Sequence, residues 1–139
     1  MSDYVRIKAI RYKIGDIIIK DLEKEIEEKD LLESPAELLA KKYKLPDYFE
    51  HKLNDFTINN GYDFKNKKED LFLDYMLDYE YGASGDFESV RLLTDNEFNK
   101  YRELFSKYFN IIRNDELRLV HYCYYNGGDE PSVWNFEEV

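Results

Sequence analysis

One cysteine, Cys123, stands among the 139 residues, so the chain cannot close an internal disulfide. A disulfide-stapled secreted scaffold is thereby excluded. Two histidines, His51 and His121, add too few ligands to that cysteine for a zinc cage. Three prolines and six glycines punctuate the chain without forming a low-complexity tract. No apolar run approaches the ~20 residues of a membrane-spanning helix, and no basic leader with an apolar stretch opens the chain. P-loop, dinucleotide-binding and nucleophile-elbow spacings are missing. These absences lead to the expectation of a soluble cytoplasmic protein that is not an enzyme, holds no cofactor or metal and touches no membrane.

What is present is apolar enough to fold. Hydrophobic residues make up 43% and aromatics 17%, with 13 tyrosines. A disordered chain is excluded despite the net charge of −10. The expectation is a single α+β domain over residues 1–139. The charge is uneven: residues 1–66 carry a net −2 and residues 67–139 a net −8. Such acidity opposes direct binding to a nucleic-acid backbone, where Lys and Arg must neutralise phosphates. It favours a basic protein partner.

Residues 4–14 alternate as a strand, and Asp21 to Lys29 reads as helix with Leu22 and Ile26 on one face. Ser34-Pro35-Ala36-Glu37 combines a cap, a first-turn proline and a capping-box acid, opening a helix to about Tyr43. Asp47 is placed to cap another through Asp55. Asn60-Gly61 signals a turn, either closing that helix or joining a short hairpin. Asn66 to Tyr81 reads as helix stopped at Gly82, with Phe72, Leu73, Met76 and Leu77 as its buried face. Ser89–Leu93 reads as strand. Thr94-Asp95-Asn96-Glu97 opens a helix to about Tyr108, and Leu117–Tyr125 is the last strand. Trp134 and Phe136 suggest that the tail docks. Together these give a short, mostly antiparallel sheet packed with about four helices.

Between Glu69 and Glu88 lie seven carboxylates and no lysine or arginine. On a helix, Asp70, Asp74 and Asp78 would form one stripe about 6 Å apart, with Tyr75 and Tyr79 beside it. Asp78 and Glu80 would sit where the helix dipole disfavours negative charge. A row of carboxylates can imitate a row of phosphates. The expected partner-binding face is therefore Glu69, Asp70, Asp74, Tyr75, Asp78, Tyr79, Glu80, Tyr81, Asp86 and Glu88. The plain alternative is a solvated face neutralised by Arg6, Lys8, Arg11 or Lys13 of the first strand.

Other patterns carry less. Residues 34–55 have a helix-turn-helix flavour, but Lys44 stands at the turn and Glu50 at an expected buried position. The acids of the second helix would repel phosphate. His121, Cys123 and Tyr125 share one strand face, which reads as a half-buried face rather than a nucleophile pair.

In size, acidity and want of catalytic motifs the whole chain resembles phage- and mobile-element-encoded anti-defence proteins, the anti-CRISPR and anti-restriction inhibitors. The resemblance implies inhibition of a basic nuclease or CRISPR effector, with DNA mimicry by the acidic region. An immunity protein neutralising a bacterial toxin is the next reading. A metal-dependent enzyme using Asp70 to Asp78 with His51 or His121, and a DNA-binding regulator, follow.

Overall fold

A computed structural model describes residues 4–45, 53–63, 68–81 and 89–125, with side chains at all of these except 4–5, 60–63, 68–69, 81 and 122–125. The elements are β1 (Tyr4–Ile14), α1 (Asp16–Glu28), α2 (Pro35–Lys42), β2 (Phe56–Asp63), β3 (Lys68–Tyr81), β4 (Ser89–Leu92), α3 (Asp95–Phe105) and β5 (Leu117–Tyr125), with a 3-10 turn at Asn114–Glu116 before β5. The strands form one five-stranded sheet in the order β2-β3-β1-β5-β4, and every neighbouring pair is antiparallel. The class is α+β, with three α-helices among the described residues rather than about four.

Capping chemistry sets where two helices start. Ser34 Oγ accepts the Glu37 N–H at 3.3 Å, and Pro35 fills the first helical position. Thr94 and Glu97 close a reciprocal box: Thr94 Oγ1 accepts the Glu97 N–H at 3.3 Å, and the Glu97 carboxylate accepts the Thr94 N–H at 2.9 Å. The helices share the main core with one face of the sheet. Ile10, Ile14, Leu71, Leu73, Leu117 and Leu119 from the strands meet Leu22, Leu38, Leu39, Phe98, Tyr101 and Phe105 from the helices. Phe56 sits among Tyr75, Phe105 and Tyr108, with ring centroids 4.9, 5.0 and 5.1 Å away. The opposite sheet face buries a second cluster of Ile7, Ala9, Phe72, Met76 and Val120.

Two expectations need correction. The helix expected over Asn66 to Tyr81 is overturned in its described part: Lys68–Tyr81 is the longest of the described strands, paired with β2 on one side and β1 on the other. Its apolar residues fill both faces of a central strand, so they do not alternate, and their spacing imitates a helical stripe. Asn60-Gly61 is not a turn either. Both residues lie inside β2, opposite Leu71 and Asp70. The expected helix start at Asp47, the stop at Gly82 and the tail aromatics Trp134 and Phe136 lie outside the described residues. No helix among the described residues is long and apolar enough to cross a membrane.

Candidate functional site

The acidic segment divides between the two faces of the sheet. A register shift between Lys8 and Ala9 causes the division: Lys8 pairs with Asp78, but Ala9 pairs with Met76, so Leu77 is an extra residue in β3. This β-bulge reverses the alternation beyond it. Asp70 and Asp74 share the face of Arg11 and Phe72, whereas Asp78 lies opposite Lys8 on the face that carries the helices.

Asp74 is 2% exposed and fully engaged. Arg11 Nε and Nη2 donate to its two carboxylate oxygens, both at 2.8 Å, and Asn59 Nδ2 donates at 2.6 Å. The Arg11 guanidinium lies 4.3 Å from the Phe72 ring centre, stacking as well as pairing. Asp70 is also 2% exposed, and Lys13 Nζ reaches its Oδ2 at 3.2 Å. The buried Asp70 Oδ1 and Asn59 Oδ1 accept no hydrogen bond from the described residues. Asp70 and Asp74 are therefore not part of an exposed face; Arg11 and Lys13 of β1 neutralise them, but on a buried strand face and not on the solvated face that the plain alternative expects.

Tyr75 packs in the main core against Phe56 and Tyr101. Asp78, Tyr79 and Glu80 remain exposed. The side chains of Glu69 and Tyr81, and residues Asp86 and Glu88 altogether, lie outside the described residues.

The exposed end of β3 belongs to a cleft. Across four strands Ser89, His121, Lys8 and Asp78 stand in one cross-strand row, because Ser89 pairs with His121, His121 with Lys8, and Lys8 with Asp78. Lys8 is two residues from Ile10 and His121 two from Leu119, which fixes the row on the helix-bearing face beyond the core. Arg6 and Glu80 form the next row. Arg6, Lys8, Asp78, Tyr79, Glu80 and His121 line a cleft of about 290 Å³.

The cleft has mixed charge. Arg6 approaches Glu80 at 3.8 Å, a loose and solvated pair. The Asp78 carboxylate accepts the Tyr79 N–H at 2.8 Å. Lys8 is exposed and forms no ion pair among the described residues. Ser89 Oγ lies 3.2 Å from His121 Nδ1. Burial, then the positive charges of Lys8, Arg91 and Arg6, hold the His121 imidazole below its usual pKa. His121 also lies on the opposite sheet face from Asp70 and Asp74, so these groups do not converge as a metal-dependent site would need. No three His, Cys, Asp or Glu side chains gather to hold a metal ion among the described residues.

No protein-family model, curated protein or solved structure matches this chain.

A second acidic surface escaped the sequence reading. Helix α1 turns Leu22 inward, so Asp21, Glu23, Glu27 and Glu28 are exposed, and Asp30 follows just past its end. Lys24 pairs with Glu28 at 3.8 Å, and Lys29 and Lys42 both hold Glu25. Asp21, Glu23, Glu27 and Asp30 form no ion pair among the described residues. The last turn of α1 contains no basic residue. The signal was present in the alternation of acids around Leu22 and Ile26.

Proposed function

We propose that this chain is a non-enzymatic acidic binding protein that inhibits a basic nucleic-acid-processing enzyme or complex, in the manner of anti-CRISPR and anti-restriction proteins. The observation that carries the reading is the outer face of α1. Glu27 and Glu28 occupy the end of a helix where the macrodipole disfavours negative charge, and like charges along the face repel. Local stability does not account for that arrangement, whereas a cationic groove on a partner does. Glu23 and Glu27 stand one turn apart, about 6 Å along the axis, and present carboxylates as a nucleic-acid strand presents phosphates. Asp78 and Glu80 are exposed acids at a second location. Asp70 and Asp74, being buried, have no part in docking.

The test is expression of the chain in cells that carry a defined RNA-guided nuclease or restriction system, followed by phage plating. Plating should recover. The purified protein should inhibit the nuclease at a one-to-one dose, with inhibition weakening as salt rises. The triple substitution Glu23→Gln, Glu27→Gln, Glu28→Gln should abolish the effect. Unchanged inhibition by that variant would reject the α1 face. Neutralisation of a toxin with no effect on any defence nuclease would replace this reading with that of an immunity protein.

A further inference from the structure

A cleft of about 250 Å³ opens where the end of α2, the start of β2 and the end of α3 meet. Its floor is aromatic. Phe56 is buried, and the half-buried Tyr75 and Tyr108 pack on it with ring centroids 4.9 and 5.1 Å away. Lys44, Lys107, Asn54 and Asp55 stand exposed around that floor. Their side chains form no hydrogen bond or ion pair among the described residues. The lining thus sets two cations against one carboxylate, all of them open to a ligand.

The backbone at the rim is unusual. Three non-glycine residues among the described ones have positive φ, and two of them, Lys44 at 55° and Asn54 at 60°, line this cleft. Lys44 follows the Tyr43 C-cap of α2. The Leu45 N–H donates to the Ala40 carbonyl at 2.9 Å and the Lys44 N–H to the Lys41 carbonyl at 3.2 Å. Glycine is the usual residue at such a left-handed helix stop, because a Cβ strains it. Fold stability does not favour lysine there, whereas a task for the ammonium does. On the other side, the Asn54 N–H donates to the Met76 carbonyl at 2.8 Å and the Met76 N–H to the Asp55 carbonyl at 3.2 Å. Backbone pairing with β3 therefore holds Asn54 and Asp55 in place, and little order is lost on binding there.

An aromatic floor favours a flat ring, by stacking. Two unpaired ammoniums favour an anionic group at the mouth. The net charge of −10 opposes a polyanion at long range, but at physiological salt that field fades within about 8 Å, so a single phosphate in contact with two lysines is still held. Asp55 accepts and does not donate, so it suits a ring edge that carries donors. Guanine places a ring N–H beside an amino group and gives a carboxylate two.

We infer that the cleft of Phe56, Tyr75, Tyr108, Lys44 and Lys107 binds a nucleoside monophosphate, with the base on the rings and the phosphate on the lysines. The site is separate from the α1 face, and neither reading requires the other.

Guanosine monophosphate is the probe, and guanosine and ribose phosphate are its two halves. Calorimetric titration should show saturable one-to-one binding of the nucleotide that weakens as salt rises. Each half should bind at least about tenfold more weakly than the whole. The double variant Lys44→Gly, Lys107→Met should weaken nucleotide binding about tenfold or more. Glycine relieves the backbone at position 44, so the urea midpoint should not fall, and the lost binding is then not lost folding.

Absence of nucleotide binding at millimolar concentration would overturn the inference. Guanosine binding as tightly as the nucleotide would leave the lysines idle, and ribose phosphate binding as tightly would leave the rings idle; either overturns it, as does a smaller loss in the double variant. The α1 triple variant should bind the nucleotide as the parent does, which keeps failure here distinct from failure of the docking surface.

Discussion

Arg11 and Asp74 exchange two hydrogen bonds at a depth where each is 2% exposed. Burying two charges costs several kcal/mol per ion, recovered only by good geometry and further hydrogen bonds. Here the fork is bidentate, Asn59 adds a third bond, and the Phe72 ring stacks on the guanidinium. Removing one partner strands the other charge. Asp74→Ala should therefore cost about 3–5 kcal/mol in urea unfolding. The paired change Arg11→Met with Asp74→Asn should recover more than half of that loss, because neither position then holds a stranded charge and Asn59 keeps an acceptor. A double variant no better than Asp74→Ala would mean that the ion pair itself, and not the stranded charge, sets the cost.

At the scale of elements, the start of α3 joins a cap to an ion pair. Thr94→Ala should cost about 1 kcal/mol by freeing the Glu97 N–H. The Arg91 guanidinium, then the Thr94 N–H, hold the Glu97 carboxyl down to about 2, against its ordinary 4.5. A depressed carboxylate pKa stabilises the fold wherever the ionised form prevails. That contribution is complete above pH 4.5 and drains away as the pH falls toward about 2. The gap in urea midpoint between parent and Glu97→Gln should stay constant above pH 5 and close across that window. Because the pair is exposed, salt should shrink the gap at every pH.

These capping signals are local, which is why the starts of α2 and α3 and the strands at 4–14, 89–92 and 117–125 were legible in the sequence. β3 was not. A spacing of four residues satisfies both a helix turn and two strand pleats, so Asp70, Asp74 and Asp78 fitted either structure. The β-bulge at Leu77 then sends Asp78 to the other face from its companions. A bulge depends on pairing with β1, more than sixty residues away in the chain, and no local pattern announces it. The cleft was illegible for the same reason. Ser89, His121, Lys8 and Asp78 become neighbours only through cross-strand register.

At the scale of the whole molecule, the net charge of −10 makes salt act with opposite signs on folding and on binding. Screening relieves self-repulsion within the fold and weakens attraction to a cationic partner. Raising NaCl from 0.02 to 0.5 M, concentrations that shorten the Debye length from above 10 Å to a few Å, should raise Tm while loosening any docked complex. The α1 face sharpens the contrast. Neutralising Glu27 and Glu28 removes charges from the unfavourable end of a helix dipole, worth about 0.3–1 kcal/mol each. Neutralising Glu23 as well relieves its repulsion with Glu27 one turn away, worth a few tenths more. The Lys24–Glu28 pair lost in the process is exposed and 3.8 Å long, so it gives back little. The triple glutamine variant should therefore unfold at higher urea than the parent and inhibit less. A variant that is less stable than the parent would show that these acids serve the fold, and the case for a partner on α1 would fall with that result.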